Sequence, residues 1–184
     1  MSVSGKLADP RLQGRVMKRV VFSTEQIANR VRELGREITS TYPGGDLLVL
    51  GLLKGSFIFV SDLVRQINRP LQVDFLVAAS YGTDMVSSGH VRLVYDPETI
   101  LEGKHILLVE DVVDSGRTLS RVMDVLRERS PASLEVCAML DKHLATHLRY
   151  PPKFVGFDAP SEFLVGYGLD HAENFRHLPY IASL

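Results

Sequence analysis

Glu110 and Asp111 stand side by side at the end of an apolar run, and Asp114 follows after Val112 and Val113. Ser115, Gly116, Arg117 and Thr118 come next and open a helical pattern. That order of residue types predicts a strand, a tight loop and a helix N-terminus. Backbone N–H groups, two hydroxyls and the helix dipole can together grip a phosphate. The acidic pair just before the loop can hold ribose hydroxyls or a hydrated Mg²⁺, a hard cation that takes oxygen ligands. A sugar phosphate that also carries a metal-bound diphosphate would engage all of these groups. Ordinary helix capping accounts for one acid or hydroxyl, not for three acids followed by Ser-Gly-Arg-Thr.

Strands and helices must alternate to place such a loop. Ile27, Val31, Leu34 and Ile38 recur at helical spacing, which predicts a helix over residues 23–41. Ser23 with Gln26 three residues on reads as a capping box, and Tyr42-Pro43-Gly44-Gly45 as the stop. Residues 46–52 read as a buried strand, and residues 54–56 as a turn. Phe57, Val60, Val64 and Ile67 then mark a helix ending near Asn68-Arg69-Pro70. Further strands are expected at 71–79, 90–95, 104–110 and 134–140, with shorter ones at 153–157 and 163–165. A helix is expected from Thr118 to about Arg129, and residues 80–89 read as a polar loop. The alternation argues for an α/β domain with a mainly parallel central sheet flanked by helices. Ligands of such sheets bind beyond the carboxyl ends of the strands, and the chemically loaded turns here all follow strands.

The 184 residues suit one domain with a full core, over residues 19–184, preceded by an N-terminal extension at 1–18. A formal net charge of -1 supplies no basic field to attract nucleic acid. No apolar segment approaches the roughly 18 residues of a membrane span, and residues 1–18 hold no continuous apolar stretch of the secretory kind. The lone Cys137 lies in an apolar run and reads as a core residue. A cytoplasmic setting fits. The six histidines show no tight metal-ligand spacing.

The acidic run with Ser-Gly-Arg-Thr resembles the phosphoribosyl-diphosphate (PRPP) signature of type I phosphoribosyltransferases. Over about residues 22–184 the chain resembles one branch of that family, the hypoxanthine (hypoxanthine-guanine) phosphoribosyltransferases. The likeness rests on Leu53-Lys54-Gly55-Ser56, Ser80-Tyr81-Gly82, the run from Glu110 to Leu119, Leu140-Asp141-Lys142, and the C-terminal blocks Val155-Gly156-Phe157 and Val165-Gly166-Tyr167-Gly168-Leu169-Asp170 through to Arg176. The resemblance implies a type I phosphoribosyltransferase fold with a small hood from the C-terminal segment. It implies transfer of a 5-phosphoribosyl group from PRPP to N9 of a 6-oxopurine, releasing diphosphate, with Mg²⁺ as cofactor.

By the same resemblance, Ser115, Gly116, Arg117 and Thr118 cradle the 5′-phosphate, with a solvent-pointing side chain as the alternative for Arg117. Glu110 and Asp111 meet the ribose hydroxyls directly or through Mg²⁺, and a metal-only role stays open. Asp114 is the general base or acid near purine N7, or else only orients the base. Lys54, Gly55 and Arg176 meet the diphosphate, often with a cis peptide before the lysine, and Asp170 binds a second Mg²⁺ largely through water. Lys142 selects a 6-oxo group, because an ammonium has only donors. Phe163 stacks on the base, and backbone groups at Leu164 and around Asp170 read its C2 edge. Valine is usual in place of Leu164, and proline is common in bacterial relatives in place of His143. Ser80 and Tyr81 begin a closing loop, which could also be an ordinary exposed one. A homodimer or homotetramer is implied. Two rivals remain open: a xanthine-preferring relative, and a PRPP-sensing regulator that binds nucleic acid.

Overall fold

The computed structural model of the chain describes residues 10–12, 14–79, 92–144 and 148–184. In chain order the first elements are β1 (Arg19–Phe22), α1 (Thr24–Thr41), β2 (Leu47–Leu53), α2 (Phe57–Val64), β3 (Gln72–Ala79) and β4 (Arg92–Tyr95). Then come β5 (His105–Val113), α3 (Arg117–Arg127), β6 (Ser133–Asp141), β7 (Phe154–Asp158), β8 (Leu164–Val165) and β9 (Ile181–Ser183).

Helix α1 forms where its apolar spacing and cap agree. The Ser23 hydroxyl accepts the Gln26 N–H at 3.2 Å, and the Gln26 side chain accepts the Ser23 N–H at 2.8 Å. Ile27, Val31, Leu34 and Ile38 are all buried, each contributing about 1.5–3 kcal/mol of hydrophobic stabilisation. The expected second helix is shorter than its pattern: α2 ends at Val64 and a turn follows, in which the Gln66 N–H donates to the Leu63 carbonyl. Ile67 is buried all the same, so its apolar character reflects packing beyond the helix.

Six strands make one sheet in the order β4-β3-β2-β5-β6-β7, with β4 alone antiparallel. Alternate residues divide the core. Leu47, Val49, Leu107, Val109, Cys137 and Met139 face the cluster containing α1 and α2. Leu48, Leu50, Ile106, Leu108, Val136 and Ala138 face the cluster containing α3. Burial on both faces is why these strands read as unbroken apolar runs. Strand order reverses between β2 and β5, so the turns after these two neighbours open at one switch point, where α/β sheets take ligands.

Strand β5 runs three residues past the expected end at Glu110. Val112 pairs with Leu140 and Val113 with Asp141, so backbone pairing carries the two acids on the strand itself and leaves a shorter loop before α3. A second, three-stranded sheet, β1-β9-β8, forms the hood. Leu12, within the segment read as an extension, is buried beside Val165, Phe175 and Leu178. Cys137 is fully buried, and burial pushes its thiol pKa up.

Candidate active site

The turn after β2 begins with a cis peptide between Leu53 and Lys54. The buried Ser56 hydroxyl donates to the Leu52 carbonyl at 2.7 Å and closes the turn. Gly55 has no room for a side chain, because a Cβ there would overlap the Asp111 carboxylate. A Cβ on Gly168, whose φ is +101°, would overlap the Gly55 carbonyl. Two glycines thus let the β2 turn, β5 and the C-terminal segment converge.

They enclose a polar cleft of about 240 Å³. Lys54, Gly55, Glu110, Asp111, Thr118, Asp170 and Arg176 all line it, together with Leu52, Leu53 and Ala78. A cavity of about 260 Å³ beside α1 and α2 is mostly apolar and contains none of these residues. Burial, followed by the neighbouring Asp111 charge, pushes the Glu110 carboxyl well above its usual range. Burial also raises Asp111, opposed by the Val112 N–H, which its Oδ1 accepts at 2.8 Å, and by the Arg176 charge. Two half-buried acids, with Asp170 on the same cleft, are hard oxygen donors suited to Mg²⁺. Among the described residues no cluster of three or more His, Cys, Asp or Glu forms a protein cage for a metal. Mg²⁺ commonly keeps several waters and takes one or two carboxylates, so this donor set fits it.

Arg176 is fixed by the C-terminal segment. Its Nη1 donates to the Gly168 carbonyl at 2.8 Å, and its Nη2 lies 2.8 Å from Asp170 Oδ1 and 3.3 Å from Glu173 Oε2. Glu173 Oε2 is also 3.2 Å from Lys54 Nζ. The sequence reading missed Glu173. An acid three residues before an arginine in a loop carries no signal that a lysine from residue 54 will join it.

The loops after β5 and β6 lie next to each other. Lys142 Nζ lies 3.8 Å from Asp114 Oδ2; the lysine side chain is 12% exposed and the aspartate 56%. The Lys142 N–H donates to the Val113 carbonyl at 3.0 Å, which holds the two loops together. The buried Asp141 accepts the His143 N–H at 2.8 Å, and His143 Nε2 lies 2.7 Å from Asp158 Oδ1. His143 has φ of +51°, a conformation closed to proline, whose ring holds φ near −65°. Gly116 has φ of +68° at the α3 N-cap, and a Cβ there would overlap Leu148. Ser115 and Arg117 are exposed around it. Phe163 is 53% exposed and meets His171 edge-on at 5.5 Å, while Leu164 is buried in β8. Both belong to the hood, and neither lines the polar cleft. Ser80 and Tyr81 fall outside the described residues.

A family model described as a phosphoribosyl transferase domain matches residues 21–172. Over 167 residues, 90% of this chain and 94% of the relative, the sequence is 44% identical to a hypoxanthine phosphoribosyltransferase of Salmonella typhimurium. The chain belongs to the hypoxanthine phosphoribosyltransferase family. This phosphoribosyltransferase is also 46% identical, over 171 residues, to a hypoxanthine-guanine phosphoribosyltransferase of Dictyostelium discoideum, with 91% of this chain and 95% of the relative covered. A crystal structure of a hypoxanthine phosphoribosyltransferase from Staphylococcus aureus superposes with a TM-score of 0.86 at 39% identity, covering 91% of each chain. The expected fold and enzyme class, a pentosyl-transferring phosphoribosyltransferase of purine salvage, are borne out. No described helix is long and apolar enough to cross a membrane.

Proposed function

We propose that this phosphoribosyltransferase moves the 5-phosphoribosyl group of PRPP to N9 of hypoxanthine, and of guanine, giving IMP or GMP and diphosphate. The observation that carries this reading is the approach of Lys142 and Asp114, 3.8 Å apart, on the adjacent loops that follow β6 and β5, the strand whose acids line the polar cleft. One is a pure donor and the other an acceptor. Side by side they suit O6 and N7 of a 6-oxopurine, and the ammonium has nothing to accept from a 6-amino group.

The Ser115–Thr118 loop and the start of α3 hold the 5′-phosphate through backbone N–H groups and hydroxyls. Glu110 and Asp111 orient the ribose, and their charge favours the positive character that develops at C1′. Lys54, Gly55 and Arg176 receive the diphosphate. Asp114 shares the N7 proton as N9 attacks C1′, and Lys142 holds O6 throughout. Phe163 covers the base from the hood, and backbone at Leu164 and Asp170 reads its C2 edge. Asp170, Glu110 and Asp111 would hold Mg²⁺, which would supply positive charge against the diphosphate. The enzyme works in the cytoplasm as a homodimer or homotetramer, and light scattering at micromolar concentration that returned a monomer would remove the assembly.

Asp114→Asn tests the proton role. Turnover should fall by about 10²–10⁴-fold, the usual worth of a positioned acid or base, while PRPP affinity by calorimetry stays close to wild type. Equal losses of both would leave Asp114 a binding role only.

A further inference from the structure

Glu173 sits where the two diphosphate cations meet. Its Oε2 lies 3.2 Å from Lys54 Nζ and 3.3 Å from Arg176 Nη2. Lys54 and then Arg176 hold its carboxyl below the usual carboxylate range. The backbone that presents it is costly. His171 and Asn174 pair across a two-residue turn, exchanging N–H to carbonyl bonds at 3.2 and 3.1 Å. Ala172 has φ of +52° and Glu173 φ of +62°, the pattern of a type I′ turn. Glycine or asparagine is favoured at such positions, and a glutamate in the left-handed region is disfavoured by its Cβ. The Glu173 N–H donates to Asp170 Oδ2 at 2.9 Å, which ties the turn to the cleft. A disfavoured backbone that delivers a carboxylate onto two cations suggests a use for that carboxylate.

We propose that Glu173 is a resident counter-ion of the diphosphate subsite, pairing Lys54 and Arg176 until diphosphate displaces it. The inference rests on the diphosphate assignment above and adds a role to it. The carboxylate competes with the diphosphate of PRPP for the same cations, so it weakens binding and speeds release of the product. No bond is made or broken by Glu173; one anion exchanges for another. Lys54 and Glu173 are 68% and 67% exposed, so water screens the competition and the effect is modest.

The test titrates Mg²⁺ with inorganic diphosphate, and separately with PRPP, into wild type, Glu173→Gln, Glu173→Gly and Lys54→Ala by calorimetry. Both Glu173 variants should bind diphosphate about two- to tenfold more tightly, the range of one or two exposed ion pairs. In turnover they should show a lower PRPP KM and stronger inhibition by diphosphate. Glu173→Gly should also melt no lower than wild type, because glycine suits the turn; a Glu173 whose role is only structural would lower the melting temperature instead. If Lys54→Ala weakens diphosphate binding but neither Glu173 variant strengthens it, the counter-ion role is overturned and the diphosphate assignment stands. If Lys54→Ala leaves diphosphate binding unchanged, the assignment itself fails and the inference falls with it.

Discussion

Gly55→Ala places one methyl group against the Asp111 carboxylate. The new Cβ would overlap Asp111 Oδ2 and Cγ and come within 3.2 Å of Asp111 Cβ. Gly55 cannot retreat easily, because its carbonyl already lies against Gly168. The Asp111 carboxylate must therefore turn, giving up the 2.8 Å bond it accepts from the Val112 N–H. Losing a hydrogen bond to a charged group costs about 1.5–3 kcal/mol, and an off-rotamer side chain about 0.5–1.5 kcal/mol. Relief of the burial that raises the Asp111 pKa offsets part of this. A net destabilisation of about 2 kcal/mol is expected, measured by urea unfolding. The effect on turnover should be larger, since a misplacement of about 1 Å can cost about 10²-fold. Steady-state assays should show kcat/KM for PRPP down by about two orders of magnitude. Activity within about threefold of wild type, a loss under roughly 0.7 kcal/mol, would refute the claim that this glycine exists to seat Asp111.

Gly116→Ala combines a left-handed backbone penalty of about 1–2 kcal/mol with a collision against Leu148; chemical denaturation should show at least that loss, and unchanged stability would mean the loop simply rearranges. Lys142→Ala should raise the KM for hypoxanthine and narrow the preference over adenine, and unchanged discrimination would remove Lys142 from base selection. The His143 pKa is raised, first by its bond to Asp158 and then by the Asp141 charge. A raised folded-state value means that the stabilisation is fully present below the unfolded pKa and is lost as pH rises through the folded one. His143→Asn, which tolerates the positive φ, should therefore destabilise the protein more at pH 6 than at pH 9, and equal losses at both would contradict the ion-pair reading.

The parts of this molecule written locally were legible. Ser23 and Gln26 announce the cap of α1, and Ile27 to Ile38 its buried stripe. The glycine-bounded apolar runs announce the parallel strands. Glu110 and Asp111 misled the end of β5, because adjacent carboxylates look like loop. They are tolerated on the strand because backbone pairing continues beneath them while their side chains meet the cleft. The hood was only partly legible. Strand β1 and strand β9 are four and three residues long, and they pair across most of the chain, so no local pattern specifies them. Distance in sequence also hid Glu173, whose partner Lys54 lies 119 residues away. Asp114 and Lys142 were assigned separate roles by resemblance to a family, and their proximity is a product of the β5–β6 register.

The decisive measurement is diphosphate release from PRPP and Mg²⁺, with hypoxanthine, guanine, xanthine and adenine offered separately. Turnover with hypoxanthine and guanine and none with adenine is the expected result, with IMP and GMP as the paired products. Turnover confined to adenine or to xanthine would contradict the reading of Lys142 and the C2 edge. No turnover with any base, despite tight binding of PRPP, would contradict the assignment of Asp114 and the catalytic account as a whole.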